Sequence, residues 1–410
     1  MVFLDAPRWR WLRWGLPLAA VLGGGLGWWV VAWQADAAAG PAASAALRPA
    51  AAATAERAAA SAPYSAAGAQ WRETQLALWR QRLQRAQEVL DTYSEHTRYP
   101  YTSRPAAEQA DQMYPNDPVV EDHPLREPKG QAAAGVRLRT TQERVFVQGD
   151  ESVRFTVAVV DDEAGAAQPL RVLSAQAREV SPPAVASSFP TLPVAFVDDG
   201  SNGDAQPDDR EFTAQLRPAA QGFAGLTGQI RLEVWLEFRG QRGFTYFDVY
   251  VTARPPAVWN GRARELLDNG ALAYALPATV REPGRYVVTG RVDAADGQPL
   301  ALLTFNGEVA AGDTEFRLTL FGKLLRDAAP AMPLTLRDVV GFRLREEGHP
   351  DRALMPRLEG PVLVGGRHAL TAFSDAPWSS QERSRYLAEL TRDVEQARRQ
   401  VDQLSAATKP

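Results

Sequence analysis

Residues 231–238 read Arg231-Leu232-Glu233-Val234-Trp235-Leu236-Glu237-Phe238. Apolar and polar residues alternate without a break, which in an extended chain sends the two sets to opposite faces. A strand of this kind buries one side and wets the other, so it belongs to an antiparallel sheet packed through one face. Arg239-Gly240-Gln241-Arg242-Gly243 follows and predicts a tight hairpin into Phe244–Val251. Upstream, Ser152-Val153-Arg154-Phe155-Thr156-Val157 alternates in the same way. Val136–Arg139, Arg144–Val147, Val153–Val160, Leu170–Ala177, Val194–Val197 and Phe212–Leu216 are further runs rich in β-branched or aromatic residues. About eight short strands punctuated by turns predict a β-sandwich over residues 135–254.

Residues 255–374 repeat the pattern after a joint at Pro255-Pro256. Pro283-Gly284 turns into Arg285–Asp293, with Tyr286, Val288, Gly290 and Val292 on one side. Asp296-Gly297 leads to Leu300–Phe305, Asn306-Gly307 reads as the next turn, and Thr314–Phe321 follows. Leu334–Leu336, Val339–Leu344 and Pro361–Val364 are later strand candidates. Each half is long enough to bury a core of its own.

Helices flank this β-rich region. In residues 69–97, Leu76, Trp79, Leu83, Ala86, Leu90 and Tyr93 recur at spacings of three and four, one apolar stripe close to a heptad seam. In residues 375–410, Leu387, Leu390, Val394, Ala397, Val401 and Leu404 do the same, with Ser379 or Ser380 placed to cap the start. Such stripes need cover: each other, a copy in a dimer, another protein or a sandwich face. Residues 98–134 hold Pro100, Pro105, Pro115, Pro118 and Pro124, which exclude helix interior and central strand. That stretch reads as an extended segment lying on a domain surface, or as a linker. Residues 34–68 are alanine-rich, interrupted by proline and glycine, and read as a disordered tether.

The chain's address is set by Gly15–Trp33. From Trp14 to Trp33 no residue carries a formal charge, and about 20 helical residues span a bilayer's hydrocarbon core. Trp9, Trp11 and Trp14 at one end and Trp28, Trp29 and Trp33 at the other form two interfacial belts. Arg8, Arg10 and Arg13 precede the run, so residues 1–14 stay in the cytoplasm and the bulk is exported to the periplasm, with the chain held in the inner membrane. A signal peptide cleaved near Ala35-Asp36-Ala37 is the alternative. Gly23 and Gly27 form a GxxxG pair through which two anchors could dimerise. The predicted fold class is therefore mainly β: two tandem sandwiches, N- and C-terminal helices and one N-terminal transmembrane helix.

Composition narrows the chemistry. The chain has 410 residues, net charge −4 and no cysteine. Nucleic acid is excluded as a partner by charge sign and compartment, and thiol chemistry by the missing cysteine. The sequence shows no GxSxG, HExxH or GxxxxGK[ST] motif, and His96, His123, His349 and His368 do not share a helix face. No catalytic residue and no cofactor is assigned, and an enzyme is not expected. The one candidate metal site is an acidic loop, Asp198, Asp199, Asn202, Asp204 and Asp208, which offers the oxygen ligands of Ca²⁺ without the spacing of an EF-hand. The alternative is a plain turn built from turn-forming residues. For binding, Tyr99, Tyr101, Tyr114, Trp259 and Trp378 fall outside the core patterns, and aromatics concentrate both at protein interfaces and in interdomain seams.

Asp198-Asp199-Gly200-Ser201-Asn202-Gly203-Asp204, with Asp208-Asp209 and Phe212-Thr213-Ala214, is similar to a turn of exported bacterial Ig-like domains. Pro283-Gly284-Arg285-Tyr286, with Val292-Asp293 and Asp296-Gly297, resembles a strand pair of the same domains. The chain departs from the pattern at Asp208-Asp209-Arg210-Glu211, where the family has Asp-Gly before the aromatic. The resemblance covers residues 135–374 and implies Ig-like sandwiches of choice-of-anchor-type envelope proteins, a family without an assigned activity. The expected function is then protein–protein contact by a membrane-anchored envelope protein, as scaffold or accessory of an envelope or secretion assembly. The competing expectation is a carbohydrate- or peptidoglycan-binding module, assisted by Ca²⁺. Partners in view are the inner membrane, an envelope protein, and a second copy through Gly23/Gly27 or the amphipathic helices.

Overall fold

The computed structural model describes residues 66–126, 132–181, 187–347 and 349–406. The predicted anchor at 15–33, its Gly23/Gly27 pair and the tether as far as residue 65 lie outside the described residues. Among the described residues, no helix is long and apolar enough to cross a membrane.

The chain begins with helix α1 (Ala66–His96) and a short strand β1 (Ser103–Pro105). Ten strands follow: β2 (Val119–Arg126), β3 (Ala132–Gln142), β4 (Phe146–Gln148), β5 (Val153–Asp161), β6 (Ala167–Gln168), β7 (Arg171–Glu179), β8 (Leu192–Pro193), β9 (Phe212–Leu216), β10 (Gly228–Phe238) and β11 (Gln241–Thr252). The next group is β12 (Ala257–Trp259), β13 (Arg264–Asp268), β14 (Ala271–Val280), β15 (Gly284–Asp293), β16 (Pro299–Val309) and β17 (Gly312–Leu320). Helix α2 (Gly322–Ala328), β18 (Thr335–Leu344), β19 (Arg352–Leu354), β20 (Leu358–Val364) and helix α3 (Gln381–Ala406) complete it. The fold is mainly β with several antiparallel sheets, and it divides into two compact units. One holds Thr102–Ala376; the other holds α1 and α3 with the residues beside them.

The first sandwich pairs the sheet β2-β3-β5-β6, with β9 on β5, against the sheet β4-β11-β10-β7-β8. Every pairing is antiparallel except β4 with β11. Alternation does the work: Ile230, Leu232, Val234 and Leu236 on β10 meet Phe155 and Val157 on β5 in one buried cluster. The β10–β11 hairpin closes through Arg239 and Gly240, both at positive φ, with Phe238 opposite Gln241. Two left-handed residues match the twist of the flanking strands, and glycine adopts the second at no steric cost.

The second sandwich pairs β12-β14-β13, with β17 on β14, against β1-β16-β15-β18-β19, with β20 on β18. Phe316 sits at its centre, with ring centroids 5.7 Å from Tyr286, 5.3 Å from Phe305 and 5.8 Å from Trp259. Two sequence expectations are corrected here. Asn306-Gly307 is not a turn; β16 runs through it to Val309, with Asn306 opposite Val287 and its Oδ1 accepting from Arg285 Nε. The turn comes later, before Gly312 at φ 116. Residues 98–134 are not extended coil throughout: they contain β1, β2 and the start of β3. Both β1 and β2 are edge strands, the one place in a sheet that tolerates Pro105 and Pro124.

That segment also straps the second sandwich. β1 pairs with β16, Ser103 opposite Leu303, and the buried Ser103 hydroxyl accepts the Phe321 N–H. Ala106 and Met113 close over Leu302. Beneath the strap, Arg291 donates through Nε and Nη2 to both oxygens of Asp293 at 2.8 Å, and through Nη1 to the Met113 carbonyl. Arg337 joins Asp293 to Asp338, whose Oδ1 accepts the Gly360 N–H. A buried ion pair is tolerated only when its remaining donors and acceptors are met, as they are here.

The two sandwiches are joined by residues 349–357. Arg357 donates from Nη1 to both oxygens of Glu151 (3.0 and 2.8 Å) and from Nη2 to the Phe146 carbonyl. The Arg352 guanidinium lies 4.7 Å from the Phe146 ring and 4.9 Å from Phe342. The Leu354 N–H donates to Thr252 Oγ1, and His349 Nε2 is 2.9 Å from Gln229 Oε1, its ring edge-on to Tyr250.

In the other unit α1 and α3 pack antiparallel. Tyr93, near the end of α1, meets Tyr386, near the start of α3, at 5.9 Å. Arg383 Nε donates to the carbonyl and hydroxyl of Thr97. Ser380 caps α3 by accepting the Arg383 N–H at 3.0 Å.

Two outcomes are expected. Arg357→Ala takes the bidentate partner of Glu151, which keeps the Gln148 N–H and the nearby Arg144, and costs about 1.5–3 kcal/mol; urea unfolding followed by tryptophan fluorescence then resolves two transitions where the parent shows one. Tyr286 donates its hydroxyl to the Glu282 carbonyl, and burial pushes its pKa up to about 12. The neutral phenol is the stable form in the fold. Its contribution is complete below the unfolded tyrosine pKa of about 10 and is lost as pH rises through about 12. Melting temperatures between these limits fall in the parent and fall less in Tyr286→Phe.

Candidate functional site

The acidic loop folds back on itself. Asp198 accepts the N–H groups of Asp209 (3.1 Å) and Arg210 (3.0 Å) on its two oxygens. Asp204 accepts the Gly200 N–H at 2.7 Å. Asp199 accepts from Ser201, whose hydrogen bonds hold its carboxyl below the usual carboxylate range. Gly200, Asn202, Gly203, Asp208 and Arg210 all have positive φ. Asp and Asn adopt that region more readily than other non-glycine residues, and their side chains bridge the turn. The carboxylates therefore point at backbone amides. Among the described residues no group of three or more histidine or carboxylate side chains is placed to hold a metal ion.

The histidines are dispersed. His368 Nε2 lies 2.7 Å from Glu265 Oε1, which also accepts the Gly366 N–H. Glu265 stands opposite Tyr274 across the β13–β14 pair, and burial raises the Tyr274 pKa well above its ordinary value. His123 is 3.3 Å from Glu121. Lys323, which has no evident partner in the sequence, bridges Asp327 and Asp375. Glu346 and Glu347 are exposed side by side.

The five aromatics singled out in the sequence are not brought together. Trp259 is half-buried, its indole N–H donating to the Pro356 carbonyl at 2.7 Å and its ring edge-on to Phe316. It packs within the second sandwich. Tyr114 is exposed and covers Arg291 at 5.0 Å. Tyr99 and Tyr101 follow α1, with Arg98 5.6 Å over the Tyr99 ring, and Trp378 precedes α3.

Two surfaces stand out instead. The α1–α3 hairpin fully buries only Val394 and Ala397 of its α3 stripe, while Leu83, Leu90, Leu387 and Leu390 stay half-buried. Leu78 and Val89 on α1 are exposed. They are eleven residues apart, about three helical turns, and so share one face. The second surface is the solvent side of β10 and β11, where Trp235, Phe244 and Tyr246 lie in a row. Sequence reasoning did not select these three as binding residues. The signal was present: Trp235 is in phase with Glu233 and Glu237, the wet phase of its strand.

No protein-family model matches the chain, and no curated protein matches it. The solved structure of a DUF4785 family protein from Legionella pneumophila is similar at a TM-score of 0.36 and 13% identity. The match covers 56% of this chain and 57% of that one, so the chain spans little more than half of that protein's length.

Asp198→Ala removes two charge-assisted hydrogen bonds and is expected to lower stability by about 2–3 kcal/mol. Because the loss is that of a turn, the same difference is expected in urea melts with and without EDTA.

Proposed function

We propose that this chain is a membrane-anchored, extracytoplasmic protein with two Ig-like sandwiches, acting by protein–protein contact as a scaffold or accessory of a bacterial envelope assembly. The observation that carries the reading is the helical hairpin. α1 has 31 residues, a rod of about 46 Å at 1.5 Å per residue. α3 returns along it, so Ala406 comes back to the end where Ala66 starts. The chain leaves the hairpin for the sandwiches, and re-enters it, at the opposite end. A two-helix rod cannot cover both sides of its own apolar seam, which leaves a long half-open surface for a partner.

Strand order supports the Ig-like assignment. In the first sandwich β7, β10 and β11 are neighbours in one sheet and β3, β5 and β9 in the other. This is the arrangement of C, F and G against A, B and E in immunoglobulin domains. Export is supported by the uncharged run at 15–33 with arginines before it.

The missing cysteines make the topology simple to test. Ser201→Cys places one thiol on an exposed loop of the full-length protein. A membrane-impermeant maleimide is expected to label it in cells whose outer membrane has been permeabilised; labelling only after lysis would overturn the reading. For the contact surface, Leu78→Glu with Val89→Glu is expected to leave the melting temperature unchanged and abolish recovery of a defined partner from detergent-solubilised membranes.

A further inference from the structure

The solvent face of the β4-β11-β10-β7-β8 sheet departs from what alternation demands of a wet surface. Positions facing the core on β10 and β11, such as Leu232, Val234, Phe247 and Val249, are buried, and the opposite phase of such strands is ordinarily polar. Here it carries Trp235 directly opposite Phe244, with Tyr246 two residues on. Ring centroids are 5.3 Å apart for Trp235–Phe244 and 6.3 Å for Phe244–Tyr246. All three side chains are half-buried, so ring surface remains open to solvent.

Planar polar groups are fixed beside the rings. Arg231 donates through Nε and Nη2 to the two oxygens of Asp248 at 2.8 and 2.9 Å, and its guanidinium lies 4.1 Å over Tyr246. Arg178 donates to Glu233 Oε1 at 3.0 and 2.7 Å, and Glu233 Oε2 accepts from Gln176. These bonds hold the Glu233 carboxyl below its usual range against the opposing effect of burial, which is the largest single influence on it. A guanidinium has five N–H donors. Each arginine commits two nitrogens, and among the described residues Nη1 of both is left for a ligand.

The charge balance identifies the ligand's class. Arg178 pairs with Glu233, Arg231 with Asp248 and Arg171 with Glu237, which leaves Arg242, exposed on β11 opposite Glu237, as the arginine of the strip without an ion pair among the described residues. A polyanion such as a nucleic acid needs a row of uncompensated cations, and the single Arg242 does not supply one. A sugar ring has an apolar C–H face and a rim of hydroxyls. The first suits an aromatic ring, and the second suits donors and acceptors held rigidly at its edge.

We propose that this strip is a binding site for an uncharged glycan chain, with sugar rings stacked on Trp235, Phe244 and Tyr246 and hydroxyls held by the Arg178–Glu233 and Arg231–Asp248 pairs. The site needs neither the membrane nor a protein partner, so it stands apart from the scaffold reading.

The test is titration calorimetry on the full-length chain in a detergent without a sugar headgroup. The probes are chitohexaose, cellohexaose and maltohexaose. Binding of at least one at millimolar concentration or below is expected. Trp235→Ala and Tyr246→Ala should each weaken it about tenfold or more, while Trp235→Phe, which keeps a ring, stays close to the parent. Arg178→Ala removes a guanidinium that is 40% exposed, lowers stability by taking the ion-pair partner of Glu233 and should also weaken binding. Melting temperatures establish that each variant is folded. Absence of heat with all three sugars overturns the proposal, as does undiminished binding by folded Trp235→Ala and Arg178→Ala. Sugar-independent loss of a protein partner in Trp235→Ala, with no glycan binding, overturns it in favour of a protein docking surface.

Discussion

Arg352 and Arg357 decide whether the two sandwiches form one body or two. Tandem sandwiches joined by a short connection move as separate beads unless something larger than the connection holds them. Here a nine-residue stretch, 349–357, is laid against β4 and β11 of the preceding sandwich. Two guanidinium groups do the holding, one between the Phe146 and Phe342 rings and one on Glu151 and the Phe146 carbonyl. Arginine suits such a joint because its planar head stacks and donates in the same plane, which an ammonium cannot do. Because Phe146 lies on β4, the joint is fixed to the strand that pairs in parallel with β11. It therefore registers the second sandwich on the same sheet that carries the aromatic strip.

The strap imposes a second constraint. The sheet β1-β16-β15-β18-β19 ends in a strand borrowed from the N-terminal side of the other sandwich, and the borrowed segment roofs the Arg291–Asp293 pair. Removing the roof would leave that pair in water on one side and Leu302 uncovered. The second sandwich is thus not a free-standing module, although its own strands would suggest so.

Legibility followed the range of the interactions. Local ones were readable: the alternation around Leu232 and Val234, the Arg239-Gly240 turn, and the Pro283-Gly284-Arg285-Tyr286 entry into a buried strand. Helical spacing likewise placed the Leu83–Leu90 and Leu387–Val394 stripes, and Ser380 was a visible cap. Non-local pairings were not. Nothing within Ser103-Arg104-Pro105 announces a partner at Ala301–Leu303, and its proline argued against a strand. Asn306-Gly307 has turn chemistry, but its pairing with Val287 and Tyr286 of the central strand β15 overrides it. Trp235 was assigned to a strand correctly, yet its face mattered more than its strand.

The strap also sets an order of assembly. Ser103 pairs with Leu303, which is synthesised 200 residues later. At about 5–20 residues per second, the edge waits roughly 10–40 s for the sheet it completes. Throughout that interval a short strand and the apolar Met113 are presented with no cover. An edge offered before its own sheet exists can be taken up by the sheet of a neighbouring molecule, the exchange from which swapped dimers arise. Chains that fold at close quarters are open to that exchange, and dilution removes the opportunity.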